Sequence, residues 1–166
     1  MKKIKLLFSV SLLLMIFICC KTRIKSAEAS TQSNSSDSLF ITLDRGACFG
    51  ACPTYVVNIY KSGYAIYKGK MTVERIGTYE TRFTKEQLKM FDQAAIENRV
   101  DTLRSNYINP QIMDFPVTIS SVVIKNERHI FKLCTDEPPE SLVEFNTTVE
   151  RLIELGKWIK ISDKTE

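Results

Sequence analysis

From residue 39 onward, the sequence predicts an α+β domain in which an antiparallel sheet, made of a meander plus a hairpin, is packed by two main helices. Short segments rich in β-branched and aromatic residues, separated by turn residues, indicate four strands and then two more. Two longer segments carry apolar residues at helical spacing. Because strands and helices do not alternate singly, the predicted order is ββββ-α-ββ-α, which favours an antiparallel sheet over a parallel one.

The first four strands form the predicted meander. A turn at Lys61-Ser62-Gly63 joins the second strand to the third, and Gly63 can supply the positive φ that such a turn needs. A further turn at Gly69-Lys70 is expected to lead into the fourth strand, which Gly77 bends. The four predicted strands cover residues 39–43, 55–60, 64–67 and 71–83.

Both predicted helices carry a start signal. Thr84 and Gln87 have the spacing of a capping box, in which each side chain bonds the backbone amide of the other residue. The pair Pro138-Pro139 opens the second helix. The expected core stripe of this second helix is Leu142, Phe145, Val149 and Leu152. Between the helices, the pattern predicts a short helical turn over 100–107 and a hairpin over 117–135.

The first 38 residues predict export and lipid attachment. A basic start precedes an apolar run of about thirteen residues, well short of the ~20 that span a bilayer core. The run ends at Cys19 and Cys20, where a simple secretory signal would have a small-residue cleavage site, so it resembles a bacterial lipoprotein signal. We expect the lipid on Cys20, because the residue before it is then the small Cys19 and not the bulky Ile18. The predicted regions are a signal peptide over 1–19, a lipidated cysteine and tether over 20–38, and one α+β domain over 39–166.

The tether that follows Cys20 is polar and Ser-rich, so it cannot bury enough apolar surface to fold by itself. As a flexible coil, it would reach roughly 25 Å. Lys21 follows the lipidated residue with no aspartate beside it, which by resemblance to lipoproteins of Gram-negative bacteria predicts the outer membrane, facing the periplasm. The predicted partners are therefore the membrane, through the lipid, and an envelope protein.

The net charge of +4 does not indicate a nucleic-acid partner. Residues 1–38 hold six of the 23 Lys and Arg residues and only two of the 19 Asp and Glu residues. The remainder, with 17 of each sign, is neutral, and so it lacks the basic footprint of a nucleic-acid-binding domain.

Two cysteines lie in a distinctive loop between the first two strands. The segment reads Arg45-Gly-Ala-Cys48-Phe-Gly-Ala-Cys52-Pro-Thr-Tyr55. It resembles the R-x-x-C-F-G-x-C-P-x-Y signature of an uncharacterised bacterial family of secreted and lipoprotein domains, known as a domain of unknown function. The resemblance covers roughly residues 39–160. It implies fold and location, and it supplies no reaction, ligand or catalytic residue.

The pair Cys48 and Cys52 is best interpreted as a disulfide. An exported protein meets an oxidising compartment, and Gly50 lets the short loop bend enough to bring the two Cα atoms within about 6 Å. Three alternatives stay open: a zinc site with His129 and Cys134, a Cys48 nucleophile with His129 as its base, and a thiol oxidoreductase. His129 and Cys134 are five residues apart on one predicted strand, which places them on opposite faces unless a bulge intervenes.

Tyrosines are frequent on the predicted strands. Such residues commonly pack across a sheet, and the alternative is a ligand groove lined by Tyr55, Tyr60, Tyr64 and Tyr67. The sequence predicts no cofactor and no catalytic residue. We therefore expect a membrane-anchored, non-enzymatic binding or interaction module, with a Cys48-dependent enzyme or a Cys/His metal site as the alternative.

Overall fold

In a computed structural model of the chain, the structure describes residues 37–165. The predicted signal peptide, the predicted lipidation site Cys20 and the tether up to residue 36 lie outside the described residues. Within 37–165, no helix has the length and apolar character needed to cross a membrane.

The described residues form one eight-stranded sheet and two α-helices. The strand order in the sheet is β5-β7-β6-β1-β2-β3-β4-β8, and every neighbouring pair is antiparallel except β5 with β7. The α+β class and the order ββββ-α-ββ-α of the main elements are confirmed, and the sheet is larger than predicted by two short strands. The elements are β1 (Leu39–Arg45), β2 (Thr54–Tyr60), β3 (Tyr64–Met71), β4 (Gly77–Arg82), α1 (Lys85–Glu97), β5 (Asn106–Ile108), β6 (Thr118–Ile124), β7 (Glu127–Cys134), α2 (Glu140–Ile153) and β8 (Ile159–Ser162).

The third strand is longer than predicted, and the fourth is shorter. The expected turn at Gly69-Lys70 is wrong, because β3 continues through both residues and Gly69 pairs with Tyr55 on one side and Gly77 on the other. Residues 72–76 form the connecting loop, and β4 begins only at Gly77, whose φ is +109°. Gly69 is needed inside the strand because a Cβ there would lie 1.8 Å from the carbonyl oxygen of Arg75 in that loop.

The two additional strands lie at the two edges of the sheet. The predicted helical turn over 100–107 is realised only as a 3-10 turn at Val100–Thr102, and Tyr107 instead belongs to β5, which pairs with the end of β7. At the other edge, β8 pairs with β4. Each strand has four residues or fewer, which is too short for an alternating pattern to be visible in the sequence.

The core lies between the two helices and one face of the sheet. Alternate residues of the central strands, such as Leu43, Val57 and Ile59, are fully buried and pack in one cluster with Phe91 of α1 and Phe145 of α2. The capping box that starts α1 is present, with both reciprocal hydrogen bonds formed. The predicted stripe of α2 is also buried: Leu142, Phe145, Val149 and Leu152.

The chain enters the sheet at one end, and three connecting loops lie at the other. At the entry end, where the chain enters β1, the amide of Lys61 donates to the carbonyl of Ser38 at 2.9 Å, and Ser62 bonds the carboxylate of Asp37. At the opposite end, which we call the loop end, lie the loops 46–53, 72–76 and 109–117. The candidate site is at this loop end.

Candidate functional site

The loop between β1 and β2 is closed by a disulfide. Cys48 and Cys52 are joined, with their Cα atoms 5.8 Å apart. The amide of Gly50 donates to the carbonyl of Cys48 at 2.9 Å, which folds the loop tightly. On the chain-entropy description, closing so short a loop contributes only about 2 kcal/mol. The disulfide engages the thiol that a Cys48 nucleophile or metal ligand would need.

The residues that flank this loop hold it to helix α2. Arg45 and Tyr55 face each other across β1 and β2, and both bind the same oxygen of Glu150. The Nε of Arg45 and the hydroxyl of Tyr55 each donate to Oε1 of Glu150 at 2.7 Å. Arg45 also donates to Thr118 at 2.9 Å. Burial, together with the hydrogen bond to Glu150, raises the pKa of Tyr55 far above its ordinary value, so that Tyr55 stays a donor.

A cleft of about 320 Å³ opens beside Tyr55, between β3, the 72–76 loop and the C-terminal part of α2. Its floor is aromatic, because the rings of Tyr55 and Tyr67 are stacked with centroids 5.4 Å apart. Burial raises the pKa of Tyr67 to about 12, with the nearby Arg75 acting in the opposite direction. The cleft is lined by Pro53, Tyr55, Tyr67, Thr72, Val73, Glu74, Arg75, Glu150, Ile153 and Glu154.

Arg75 lies across this cleft. Its guanidinium makes a two-point ion pair with Glu154, with Nη1 3.1 Å from Oε1 and Nη2 2.6 Å from Oε2. Its Cζ also lies 6.0 Å from the centroid of the Tyr67 ring. The bond to Glu154 raises the pKa of Arg75, which is therefore a permanent cation.

The four tyrosines predicted to line one groove do not come together. Tyr55 and Tyr67 lie on the helix-covered face of the sheet, whereas Tyr60 and Tyr64 lie on the opposite face, where their rings stack at 6.0 Å. The reason is the alternation of side chains along a strand, which sends Tyr55 and Tyr60 to different faces, and likewise Tyr64 and Tyr67. Only the first pair belongs to the cleft.

The structure also separates the other residues considered for chemistry. His129 is level with Val122 and Ile41, far along the sheet from the loop end that carries Cys48. Cys134 is a buried thiol whose Sγ lies 3.6 Å from the carbonyl of Phe115 in the 109–117 loop. Across residues 37–165, no three His, Cys, Asp or Glu side chains are grouped so that they could hold a metal ion.

Sequence reasoning did not single out an apolar surface at the loop end. Phe49, at the apex of the disulfide-closed loop, is 91% exposed, and Met113 in the neighbouring loop is 88% exposed. Phe115 and Val117 are also exposed, and the amide of Gly46 donates to the carbonyl of Val117 at 2.9 Å, which joins the bases of the two loops. We call Phe49, Met113, Phe115 and Val117 the loop cap. In the sequence, the pattern that indicates the loop cap is the presence of bulky apolar residues within segments that are otherwise typical of loops.

These features define a two-layer α+β domain with a disulfide-closed hairpin loop fastened to its second helix. The model of one protein family, the domain of unknown function DUF6438, matches residues 39–153, which is more than half of the chain. The chain belongs to this family. The matched range includes the Cys48–Cys52 loop, the Tyr55–Tyr67 floor and Glu150, and it ends before β8. The comparison with curated proteins gives no match.

Proposed function

We propose that this chain is a bacterial envelope lipoprotein, anchored through an acylated Cys20, and that its domain is a non-enzymatic module that binds a protein partner through the loop cap. The pattern of the first 38 residues supports the anchor. The observation that carries the binding role is the position of the loop cap, at the end of the sheet opposite to the chain entry.

Strand β1 runs from the end of the sheet where the chain enters to the end that carries the loop cap. Residues 37 and 38, which continue into the anchoring segment, are bonded to the turn that joins β2 and β3. The seven residues of β1 then run to the loop end, a distance of about 20 Å. The chain that leads towards Cys20 therefore joins the domain at its entry end, opposite to the loop cap, so the attachment point does not block the loop cap.

The chemistry of the loop cap favours a protein surface over a lipid one. The two loops that form it, 46–53 and 109–117, contain one charged residue, Asp114, and no Lys or Arg. They consequently lack the basic groups that attract anionic headgroups. An exposed Phe on a loop closed by a disulfide loses little conformational entropy on binding and can fill a pocket in an apolar protein surface.

The alternative functions draw no support from the geometry. A Cys48-dependent reaction would require reduction of the disulfide to Cys52. It would also need a base, and His129 lies at a different level of the sheet. A binding module, in contrast, uses the loop cap with the Cys48–Cys52 disulfide intact.

The lipid anchor is tested by metabolic labelling with a fatty-acid analogue in a bacterial host. The intact chain and the Cys19→Ala variant are expected to incorporate the label, and Cys20→Ala is expected to lose both the label and the membrane fraction. Labelling that depends on Cys19 would move the attachment site by one residue. An unlabelled intact chain would refute the anchor.

The binding role is tested by placing a photo-crosslinking amino acid at position 113 of the full-length chain in cells. We expect one discrete protein adduct, reduced by more than about tenfold when Phe49→Ser is added, since an aromatic anchor carries a large share of binding energy. The matched control carries the crosslinker at position 126, at the entry end. Adducts with lipid alone, or a protein adduct that does not respond to Phe49→Ser, would refute the proposal.

A further inference from the structure

We propose that the cleft beside the disulfide-closed loop is a binding site for a guanidinium group, such as that of an arginine side chain, and that Arg75 occupies this site in the free protein. The inference goes beyond the proposed function, because it concerns the polar cleft between α2 and β3 and does not depend on the loop cap or the lipid.

The walls of the cleft have the composition of a cation site. The stacked rings of Tyr55 and Tyr67 offer an aromatic surface, and aromatic faces attract organic cations. Three carboxylates line the same space, and because that of Glu150 is already paired with Arg45, those of Glu74 and Glu154 supply the negative charge for a cation. Among the lining residues, the positive charge is that of Arg75 itself.

Arg75 shows which geometry the cleft accepts. Its guanidinium meets Glu154 through two parallel N–H···O contacts, at 3.1 and 2.6 Å, while it lies over the ring of Tyr67. A planar guanidinium can donate to both carboxylate oxygens at the same time through two parallel N–H groups, whereas a compact ammonium group cannot match this geometry. The site that Arg75 fills is therefore selective for guanidinium over ammonium.

The ion pair can exchange with a ligand at low cost. The side chains of Arg75 and Glu154 are 25% and 58% exposed, and ion pairs with that exposure contribute little to stability. The cleft also keeps about 320 Å³ of space with Arg75 in place, which is at the lower limit of ligand-sized pockets. An incoming guanidinium consequently has room to enter before Arg75 leaves.

The 72–76 loop has a strained backbone conformation at its first residue. Thr72, at its first position, has a φ of +56°, an unfavourable value for a β-branched residue, and Gly77, just after the loop, has a φ of +109°. The loop rests on β3 at Gly69, where the missing Cβ leaves space for the carbonyl of Arg75. Release of the loop would relieve the conformation at Thr72 and uncover the cleft.

The test uses the purified full-length chain and the fluorescence of Trp158, the chain's sole tryptophan, whose ring centroid is 5.7 Å from that of Tyr67. The probe is N-acetyl-arginine amide, with the citrulline analogue as the uncharged isostere and the lysine analogue as the ammonium control. We expect saturable binding to Arg75→Ala with a Kd several-fold lower than to the wild type, because the internal competitor is gone and an exposed ion pair contributes up to about 1 kcal/mol. The citrulline analogue should give no response, and the lysine analogue should bind more weakly.

A second variant separates recognition from a change of fold. Adding Glu154→Gln to Arg75→Ala removes the carboxylate that forms the fork, and it should abolish binding while the near-UV circular dichroism stays that of Arg75→Ala. Absence of binding to a folded Arg75→Ala would overturn the inference, as would an equal response to the citrulline analogue. Equal binding of the lysine analogue would overturn the assignment to guanidinium. None of these outcomes bears on the crosslinks from position 113.

Discussion

Three polar contacts converge on one carboxylate oxygen of Glu150, at the place where β1 and β2 meet α2. Two come from Arg45 and one from Tyr55, each at 2.7 Å. Hydrogen bonds to a charged group are stronger than those between neutral groups. These contacts therefore fasten both ends of the disulfide-closed loop to the helix, and we interpret Arg45 and Tyr55 as residues that position the loop.

Removal of the Tyr55 hydroxyl should weaken this attachment. Tyr55→Phe keeps the ring stacked on Tyr67 and deletes one bond to Glu150, so we expect the free energy of unfolding to fall by about 1–3 kcal/mol. Urea unfolding measures the change. The matched control is Tyr64→Phe, which deletes a 2.9 Å bond to Glu80 on the opposite face and at a more exposed position. A loss for Tyr64→Phe as large as that for Tyr55→Phe would contradict this interpretation.

At the scale of elements, the connection from β3 to β4 decides the shape of the cleft. The strand continues to Met71, and the chain then folds back so that the carbonyl of Arg75 lies over Gly69. This close approach places the Arg75 side chain beside Tyr67 and Glu154. A residue with a side chain at position 69 would push the loop off the strand.

We therefore expect Gly69→Ala to destabilise the domain by about 1–3 kcal/mol, because its Cβ would meet backbone atoms of the loop that cannot rotate away. Thermal unfolding measures the effect. Gly50→Ala is the matched control, since the nearest atom to its Cβ is the Sγ of Cys48 at 3.8 Å, an ordinary contact. If Gly69→Ala unfolds at the same temperature as Gly50→Ala, the loop does not rest on β3 in solution.

At the scale of the whole molecule, the tyrosines couple stability to alkaline pH. The pKa values of Tyr64 and Tyr67 are raised to about 12, chiefly by burial, from an ordinary value of 10.0. The folded state thus retains protons that the unfolded state loses first. This contribution to stability is complete below pH 10 and is lost as the pH rises towards 12.

The prediction is a fall in the free energy of unfolding between pH 10 and 12, in which Tyr67 accounts for on the order of 1 kcal/mol after allowance for partial solvent screening. The measurement is urea unfolding at several pH values, compared with Tyr67→Phe, which keeps the ring and has no ionisable hydroxyl. The Tyr67→Phe variant should lose less stability over the same interval. Parallel curves for the two proteins would show that Tyr67 does not titrate in this way.

Local patterns in the sequence were sufficient for most of the fold. The capping box of α1 and the core stripe of α2 follow from residues three or four positions apart, and the structure confirms both. The strands β5 and β8 were not predicted, because a strand of three or four residues has no readable period. Those two strands exist because β7 and β4 offer them a free edge.

The features of the site likewise fall into those that depend on residues close together in the chain and those that depend on contacts between distant residues. The sequence by itself determined the family, the α+β class and the prominence of Cys48 and Cys52, because each depends on residues close together in the chain. Strand alternation already separates Tyr55 from Tyr60 and Tyr67 from Tyr64, whereas only the tertiary structure, through the register of β2 with β3, stacks Tyr55 on Tyr67. The tertiary structure also decided that Glu150 receives Arg45 and Tyr55, since these contacts join residues 105 and 95 positions apart. In the sequence Glu150 is one acidic residue of a helix. It becomes part of a site because packing of α2 on the sheet brings its partly exposed carboxylate against Arg45 and Tyr55.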